Sequence, residues 1–135
     1  MLFVCTHNSA RSQMAEGLAR ARFGSRVHVQ SAGSSPARVN PAAVEVMREI
    51  GIDIGGQTSK TIGRFIDQPF DWLITVCDQA AEACPTLPGV QRQEHWNIPD
   101  PSAVEGTEAV RQDAFRAARD DLSTRVRDFL ERQPA

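Results

Sequence analysis

The order of strand-like and helix-like segments along these 135 residues leaves few folds open. Short apolar or alternating runs predict strands at 2–4, 27–33, 72–76 and 90–96. Helical spacing and end signals predict helices at 13–24, 41–51 and 115–129. Strands that alternate with helices indicate a doubly wound α/β fold, here a parallel four-stranded sheet with helices on both faces. We expect one domain spanning residues 1–135.

The composition and net charge of the chain limit the classes of partner that it is expected to bind. The chain is 41% hydrophobic and 24% charged, a balance typical of a globular enzyme, and its net charge of −2 comes without a basic cluster. These values argue against binding to nucleic acid or to an anionic membrane surface. No apolar run approaches the ~20 residues that cross a bilayer, and strand-like sequence begins at Leu2 with no charged leader before it. We expect a cytoplasmic protein, and we expect it to be a monomer.

The chain contains three cysteines, Cys5, Cys77 and Cys84. A structural disulfide is not expected in the reducing cytoplasm, which leaves buried packing, a metal site or redox chemistry. A zinc site built on Cys77 and Cys84 would need two further ligands, and the three histidines show no suitable paired spacing, so we expect no metal. Cys5, Cys77 and the segment after Trp96 each follow a predicted strand. Because ligands bind beyond the carboxyl ends of parallel strands, we expect these positions to share one site.

A polar loop between the first predicted strand and the first predicted helix places Cys5 and Arg11 six positions apart. Backbone N–H groups of such a loop converge on a tetrahedral anion at a helix N-terminus, where the helix dipole adds to the attraction. Arg11 would bind two of the oxygens, Cys5 would be a nucleophilic thiolate, and Ser12 would donate a hydrogen bond to its sulfur. The alternative is a buried cysteine at a strand end with a solvated arginine nearby. The expected oxyanion-binding loop consists of Thr6, His7, Asn8, Ser9, Ala10 and Arg11.

Residues 5–17 resemble the phosphate loop of the low-molecular-weight tyrosine phosphatase fold, and more closely the loop of its arsenate reductase branch. The resemblance covers nearly the whole chain and continues at Ser31, Ala32, Gly33, Asn40, Pro41, Thr58, Ser59, Val76, Cys77, Asp78, Cys84, Pro85, His95 and Trp96. It implies a low-molecular-weight phosphatase-like fold and the reduction of arsenate, with phosphate or sulfate as analogues of arsenate in the loop.

The resemblance also implies a thiol relay, because one thiolate cannot supply both electrons that arsenate needs. Cys5 would attack arsenic, Cys77 would attack the sulfur of Cys5 and release arsenite, and Cys84 would attack Cys77. A disulfide between Cys77 and Cys84 would remain, and an external dithiol, in most relatives thioredoxin, would reduce it. The enzyme would need no bound cofactor, and its role would be arsenic detoxification.

Asp100 lies between two prolines, beyond the last predicted strand. On its own, this setting suits an aspartate that simply forms a turn. The resemblance implies a catalytic role instead, in which Asp100 is the general acid that protonates the leaving oxygen. Residue 102 is Ser where the tyrosine phosphatases carry an aromatic residue, which makes phosphotyrosine a poor substrate.

Lys60 departs from the pattern of the relatives. Many of them bind potassium beside the phosphate loop through residues that match Asn8, Glu16 and Ser31, with an acid at the place of Lys60. We hypothesise that the Lys60 ammonium occupies the cation position, pairs with Glu16 and removes the need for potassium. The alternative is a solvated lysine at the start of a helix.

Two other functions use part of the same residues. A phosphomonoesterase would need only Cys5, Arg11 and Asp100, because phosphate and arsenate are nearly isosteric. An oxyanion-binding or redox-sensing protein without turnover would use the loop and the cysteine pair. Arsenate reduction is preferred because it uses all three cysteines and the acid.

Overall fold

The computed structural model describes residues 1–78, 87, 89–90 and 92–133. Within these residues, four strands and three α-helices follow one another in the order expected of an α/β fold, with two short 3-10 helices between them. The strands are β1 (Leu2–Cys5), β2 (Gln30–Gly33), β3 (Leu73–Cys77) and β4 (Gln93–Asn97). The α-helices are α1 (Arg11–Phe23), α2 (Pro41–Arg48) and α3 (Glu108–Glu131), and the 3-10 helices are Ile62–Phe65 and Pro101–Ala103.

All four strands are parallel and form one sheet in the order β2-β1-β3-β4. Strand β1 lies between β2 and β3. The chain therefore passes from β1 to β2 on one side of it and later places β3 on its other side. This confirms the predicted doubly wound parallel sheet. Crossovers of this kind bring the carboxyl ends of β1 and β3 side by side, where a ligand site is expected.

The two faces of the sheet are covered differently. Phe3, Ile74 and Trp96 pack into a core shared with residues of all three α-helices. Side chains alternate along a strand, so Leu2 and Leu73 point to the opposite face, where they meet the 3-10 helix Ile62–Phe65 through the buried Phe65 ring. All three predicted helices therefore contribute to the core on one face of the sheet, and in the described part of the chain a 3-10 helix packs on the other.

Helix ends follow the local chemistry of the sequence. Asn40 caps α2 by accepting a hydrogen bond from the backbone of Ala42, and a proline occupies the first helical position. Thr107 caps α3 in the same way through Val110. No helix in the described part of the chain is long and apolar enough to cross a membrane.

Several element boundaries differ from the prediction, including those of β2, β4 and α3. β2 begins at Gln30 and not at Val27, because the Val27 amide still donates to the carbonyl of Phe23 at the end of the α1 turn. β4 is shifted toward the carboxyl side and ends at Asn97. α3 begins at Glu108, well before the predicted start at Phe115. The prediction missed this start because the first turn of the helix is exposed and carries no apolar pattern.

Candidate active site

Cys5 ends β1 and is a free thiol, 2% exposed. Its sulfur lies 2.9 Å from the hydroxyl oxygen of Ser12, which belongs to the first turn of α1. Strand β1 thus delivers the sulfur to the start of a helix. This is the arrangement expected for a nucleophilic cysteine, because backbone N–H groups and a hydroxyl can both point at its sulfur.

The loop between β1 and α1 turns its carbonyl groups outward. The carbonyl oxygens of Thr6, His7 and Ser9 accept hydrogen bonds from the backbone of segment 35–40. In a trans peptide unit the C=O and the following N–H point in opposite directions, so the next N–H groups are turned away from that segment. Ala10 precedes α1 and provides no side-chain cap for it, which leaves the helix N-terminus open to an anion.

Asn8 shapes this loop from within. It is fully buried and has a φ of 48°, a left-handed conformation that asparagine tolerates better than most residues. Its side-chain oxygen accepts from Gln13 Nε2 at 2.9 Å and from the Lys60 backbone N–H at 2.8 Å. Its amide nitrogen donates to Ser12 at 2.8 Å and to Ser31 at 2.9 Å. Asn8 therefore joins the loop, helix α1 and strand β2 to the segment at Lys60.

Arg11 and Asp100 form an ion pair on the wall of a small cavity. The Arg11 guanidinium is 3% exposed and donates to the carbonyl of Ile98 at 3.0 Å. Its other terminal nitrogen lies 3.9 Å from Asp100 Oδ2. The backbone and the hydroxyl of Ser102 hold the second carboxylate oxygen of Asp100 at 2.9 and 2.7 Å.

The cavity has a volume of about 230 Å³, enough for a tetrahedral oxyanion. A buried arginine, an open helix start and a cysteine on the same cavity can bind an anion and attack its central atom. The cavity is lined by Cys5, His7, Ser9, Ala10, Arg11, Ala37, Asp100 and Ser102.

Cys77 ends β3, the strand beside β1, and is fully buried. It is disulfide-bonded in the structure. By alternation along β3 its side chain follows Leu73 and Thr75, away from the face that carries Cys5. Cys84 lies outside the described residues, so its predicted pairing with Cys77 stays a prediction.

The four residues of the expected cation region meet beside the loop. Glu16 Oε1 accepts a hydrogen bond from Ser31 at 2.6 Å and lies 3.5 Å from the Lys60 ammonium. Lys60 is 8% exposed, so it is not a solvated side chain. Burial lowers the pKa of Lys60 from its ordinary value, and the Glu16 carboxylate opposes that shift. Asn8 completes the group through its bond to Ser31.

Several supporting residues have no clear signal in the sequence. Ile98 positions Arg11 through a backbone carbonyl, 87 residues away along the chain, which no side-chain pattern reveals. Gln13 Nε2 donates to the carbonyl of Asn8 and to that of Thr58, and only its place inside a helix is visible in the sequence. The backbone N–H of Ser102 is the exception, because an Asp side chain often accepts a hydrogen bond from the backbone two residues on.

Comparison with known proteins extends these observations. A model of the low molecular weight phosphotyrosine protein phosphatase family matches residues 1–133. The arsenate reductase of Halalkalibacterium halodurans is 44% identical over 129 residues, which cover 96% of this chain and 93% of that protein. The solved structure of an arsenate reductase in the phosphate binding state is 35% identical, with a TM-score of 0.82, and the match covers 96% of this chain and 95% of the other.

A thioredoxin-dependent arsenate reductase from Corynebacterium glutamicum is also similar. Its TM-score is 0.72 at 28% identity, and the match covers 96% of this chain and 59% of the longer one. The predicted phosphatase-like fold and the predicted family are thereby confirmed. The chain belongs to the low molecular weight phosphotyrosine protein phosphatase family and, within it, to the arsenate reductase branch.

Proposed function

We propose that this protein reduces arsenate to arsenite with three cysteine thiols and an external dithiol. The observation that carries the proposal is the free Cys5 thiol on the cavity between Arg11 and Asp100, with Cys77 at the end of the neighbouring strand. The names of the similar proteins above support the same substrate. Arsenic detoxification is the role that this activity serves.

The first step joins the anion to the enzyme. In the proposal, loop N–H groups and Arg11 hold the arsenate oxygens, and the Cys5 thiolate attacks arsenic. An oxygen then leaves as water, and Asp100 is the group placed to protonate it. Ser102 supports this role because it occupies one carboxylate oxygen of Asp100 and so turns the other toward Arg11.

The next two steps move the electrons. Attack of Cys77 on the Cys5 sulfur forms a disulfide, and the electron pair of the broken sulfur–arsenic bond reduces arsenic to the trivalent state. Attack of Cys84 on Cys77 then frees Cys5 and leaves a Cys77–Cys84 disulfide. Because the side chain of Cys77 follows the opposite face of the sheet, we expect the end of β3 to rearrange during the cycle.

Thioredoxin is our proposed reductant for that final disulfide. The similarity to a thioredoxin-dependent enzyme supports this choice over glutaredoxin or a small thiol. The external reductant supplies both electrons for each turnover, so the proposal requires no bound cofactor. We propose a cytoplasmic location, where thioredoxin is kept reduced.

The phosphatase alternative uses the same cavity without Cys77. The comparisons do not favour it, because the similar proteins reported above are arsenate reductases. Slow hydrolysis of small phosphate esters is still expected, since Cys5, Arg11 and Asp100 are sufficient for a cysteinyl-phosphate intermediate.

Replacing Cys77 with serine separates the two activities. We would measure arsenate-dependent NADPH oxidation with thioredoxin and thioredoxin reductase, and hydrolysis of p-nitrophenyl phosphate by the same samples. The C77S variant should lose reductase turnover and keep the phosphatase rate of the wild type, whereas the C5S variant should lose both. Reductase turnover by C77S would contradict the relay, and wild type without reductase turnover but with fast ester hydrolysis would favour the phosphatase.

A further inference from the structure

We propose that Lys60 is a positioning residue for the nucleophile: its ammonium pairs with the buried Glu16 carboxylate and thereby fixes the hydrogen-bond chain that ends on the Cys5 sulfur. Glu16 and Lys60 lie outside the cavity that binds the anion. The inference rests on the proposed function for the role of Cys5, and the tests below need no arsenate.

Lys60 is the single lysine of the chain, and the other fourteen cationic side chains are arginines. It is buried, and its ammonium donates to the carbonyl of Thr58 at 2.7 Å while facing Glu16 Oε1 at 3.5 Å. An ammonium is compact and can donate in several directions, whereas a guanidinium is a wide planar fork. The one lysine of the chain therefore lies where a compact, buried positive charge fits.

Glu16 is the other half of this pair and is 2% exposed. Its two carboxylate oxygens have different neighbours. Oε2 receives Arg20 at 2.6 Å from a side chain that is 47% exposed, whereas Oε1 receives the Ser31 hydroxyl and faces Lys60. A buried carboxylate is costly unless it is paired and hydrogen-bonded. Lys60 is the buried partner on the side that contacts Ser31.

The direction of each hydrogen bond along the chain is determined by its neighbours. The Asn8 side-chain oxygen accepts from two N–H donors, so its amide nitrogen must donate to Ser31 and Ser12. The Ser31 oxygen accepts from the Asn8 amide, and the Ser31 hydroxyl donates its proton to the Glu16 carboxylate. The Ser12 oxygen accepts from Asn8 in the same way, so its proton is available for the Cys5 sulfur 2.9 Å away.

Two groups of Lys60 contact this series of hydrogen bonds. Its backbone N–H fixes the Asn8 amide, and its ammonium fixes the Glu16 carboxylate. Loss of the ammonium leaves a buried carboxylate that is stabilised from one side only. A small cation would then be drawn to the site, since carboxylate and carbonyl oxygens are the ligands that hard cations prefer.

The first test uses the single lysine as its own probe. In protein labelled with lysine that carries ¹³C at the ε carbon, NMR should give one ε signal, displaced from that of a solvated lysine. The E16Q substitution should move this signal, and the E105Q substitution, at an exposed acid far along the chain, should not. A signal at the solvated position, or one that E16Q leaves in place, would overturn the proposal without requiring any substitution at Lys60.

The second test measures the nucleophile directly. In a C77S/C84S background Cys5 is the one remaining thiol, and its rate of alkylation by iodoacetamide at neutral pH reports the thiolate. We expect K60M to slow alkylation roughly tenfold, as the loss of one well-oriented hydrogen bond predicts. The control R48M removes an exposed cation at the end of α2 and should leave the rate unchanged.

A double substitution distinguishes a coupled pair from two separate effects. E16Q alone should also slow alkylation, and the K60M/E16Q protein should lose less than the two single effects combined. Fully additive losses, or a K60M rate equal to that of the background, would contradict the proposal. The alkylation rates are measured without arsenate, so they test the role of Lys60 alone. If the unmodified enzyme did not turn over arsenate, that result would contradict the proposed function and not the role of Lys60.

The last test compares potassium chloride with choline chloride. The K60A variant opens space beside Glu16, and potassium chloride should restore part of its alkylation rate compared with choline chloride at equal ionic strength. The protein that retains Lys60 should respond equally to both salts. A marked response of that protein to potassium would show that Lys60 does not take the place of a bound cation.

Discussion

Asn8 illustrates how one residue can combine backbone strain with side-chain recognition. A left-handed residue other than glycine costs about 1–2 kcal/mol, and here four side-chain hydrogen bonds to groups on other elements hold it in place. The side chain that compensates for the strain also orients Ser12 toward Cys5. We therefore expect the stability of the protein and the reactivity of Cys5 to depend on the same amide.

Substitution of Asn8 separates these two contributions. N8A keeps the strain and removes the bonds, so we expect it to destabilise the protein by about 2–4 kcal/mol. N8G removes the same bonds but relieves the strain, so it should be less destabilised than N8A while slowing Cys5 alkylation equally. Urea unfolding and alkylation rates check both points. Equal stability of N8A and N8G would show that the backbone of residue 8 is not strained.

At the scale of elements, strand β2 supports the loop by close contact. A Cβ added at Gly33 would lie 2.6 Å from the carbonyl oxygen of Thr6 and 2.8 Å from the backbone nitrogen of Asn8. Both contacts are with backbone, so the loop itself would have to move. The end of β2 is thus fitted to the loop that it borders.

We therefore expect G33A to weaken phosphate binding by roughly tenfold or more, because small displacements of an oxyanion site have large effects. G56A is the matched control, since a Cβ at Gly56 meets nothing within 4 Å. Isothermal titration with inorganic phosphate gives both affinities. If G33A bound phosphate as tightly as G56A, the close contact between β2 and the loop would have no consequence for the site.

Helices α2 and α3 are joined by charged groups. Glu49, just after α2, contacts Arg116 at 2.8 Å and Arg119 at 2.8 Å. A hydrogen bond from Arg116 is the main cause that lowers the pKa of Glu49 from 4.5 to about 2. Since the folded pKa lies below the unfolded one, the stabilisation is present above about 4.5 and is lost as the pH falls toward 2.

Comparison with E49Q across pH tests this link. At neutral pH, E49Q should melt at a slightly lower temperature than the wild type, because partly exposed ion pairs contribute little net stability. The difference should shrink as the pH falls from 4.5 to about 2, where Glu49 itself becomes protonated. E105Q serves as the control for loss of an acid. A difference that stays constant over this range would rule out the ion pairs as its source.

Element by element, the sequence was most informative where a signal is local. The apolar runs of β1 and β3 and the cap at Asn40 are visible in short windows, and the structure confirms them. The predicted start of β2 was wrong because the backbone hydrogen bond from Val27 to Phe23 has no signature in the sequence. The exposed first turn of α3 was missed for a similar reason, since no apolar periodicity marks it.

Across the whole molecule, the topology explains why a short motif was enough to locate the site. Parallel strands bring Cys5, Cys77 and the segment that leads to Asp100 to one edge of the sheet, although up to 95 positions separate them. The carbonyl of Ile98, which positions Arg11, joins that edge only in the folded state. Such a contact between a side chain and a distant backbone carbonyl was beyond prediction, because it depends on the register of β4.

The proposed relay depends on the order in which the three thiols react. Cys5 and Cys77 must react with each other before Cys84 takes part, even though Cys77 follows the opposite face of the sheet. The most direct measurement treats reduced C84S protein with one equivalent of arsenate and maps its disulfides by mass spectrometry. We predict a Cys5–Cys77 disulfide together with one equivalent of arsenite. Release of arsenite without that disulfide, or no arsenite at all from reduced protein that still binds arsenate, would contradict the relay.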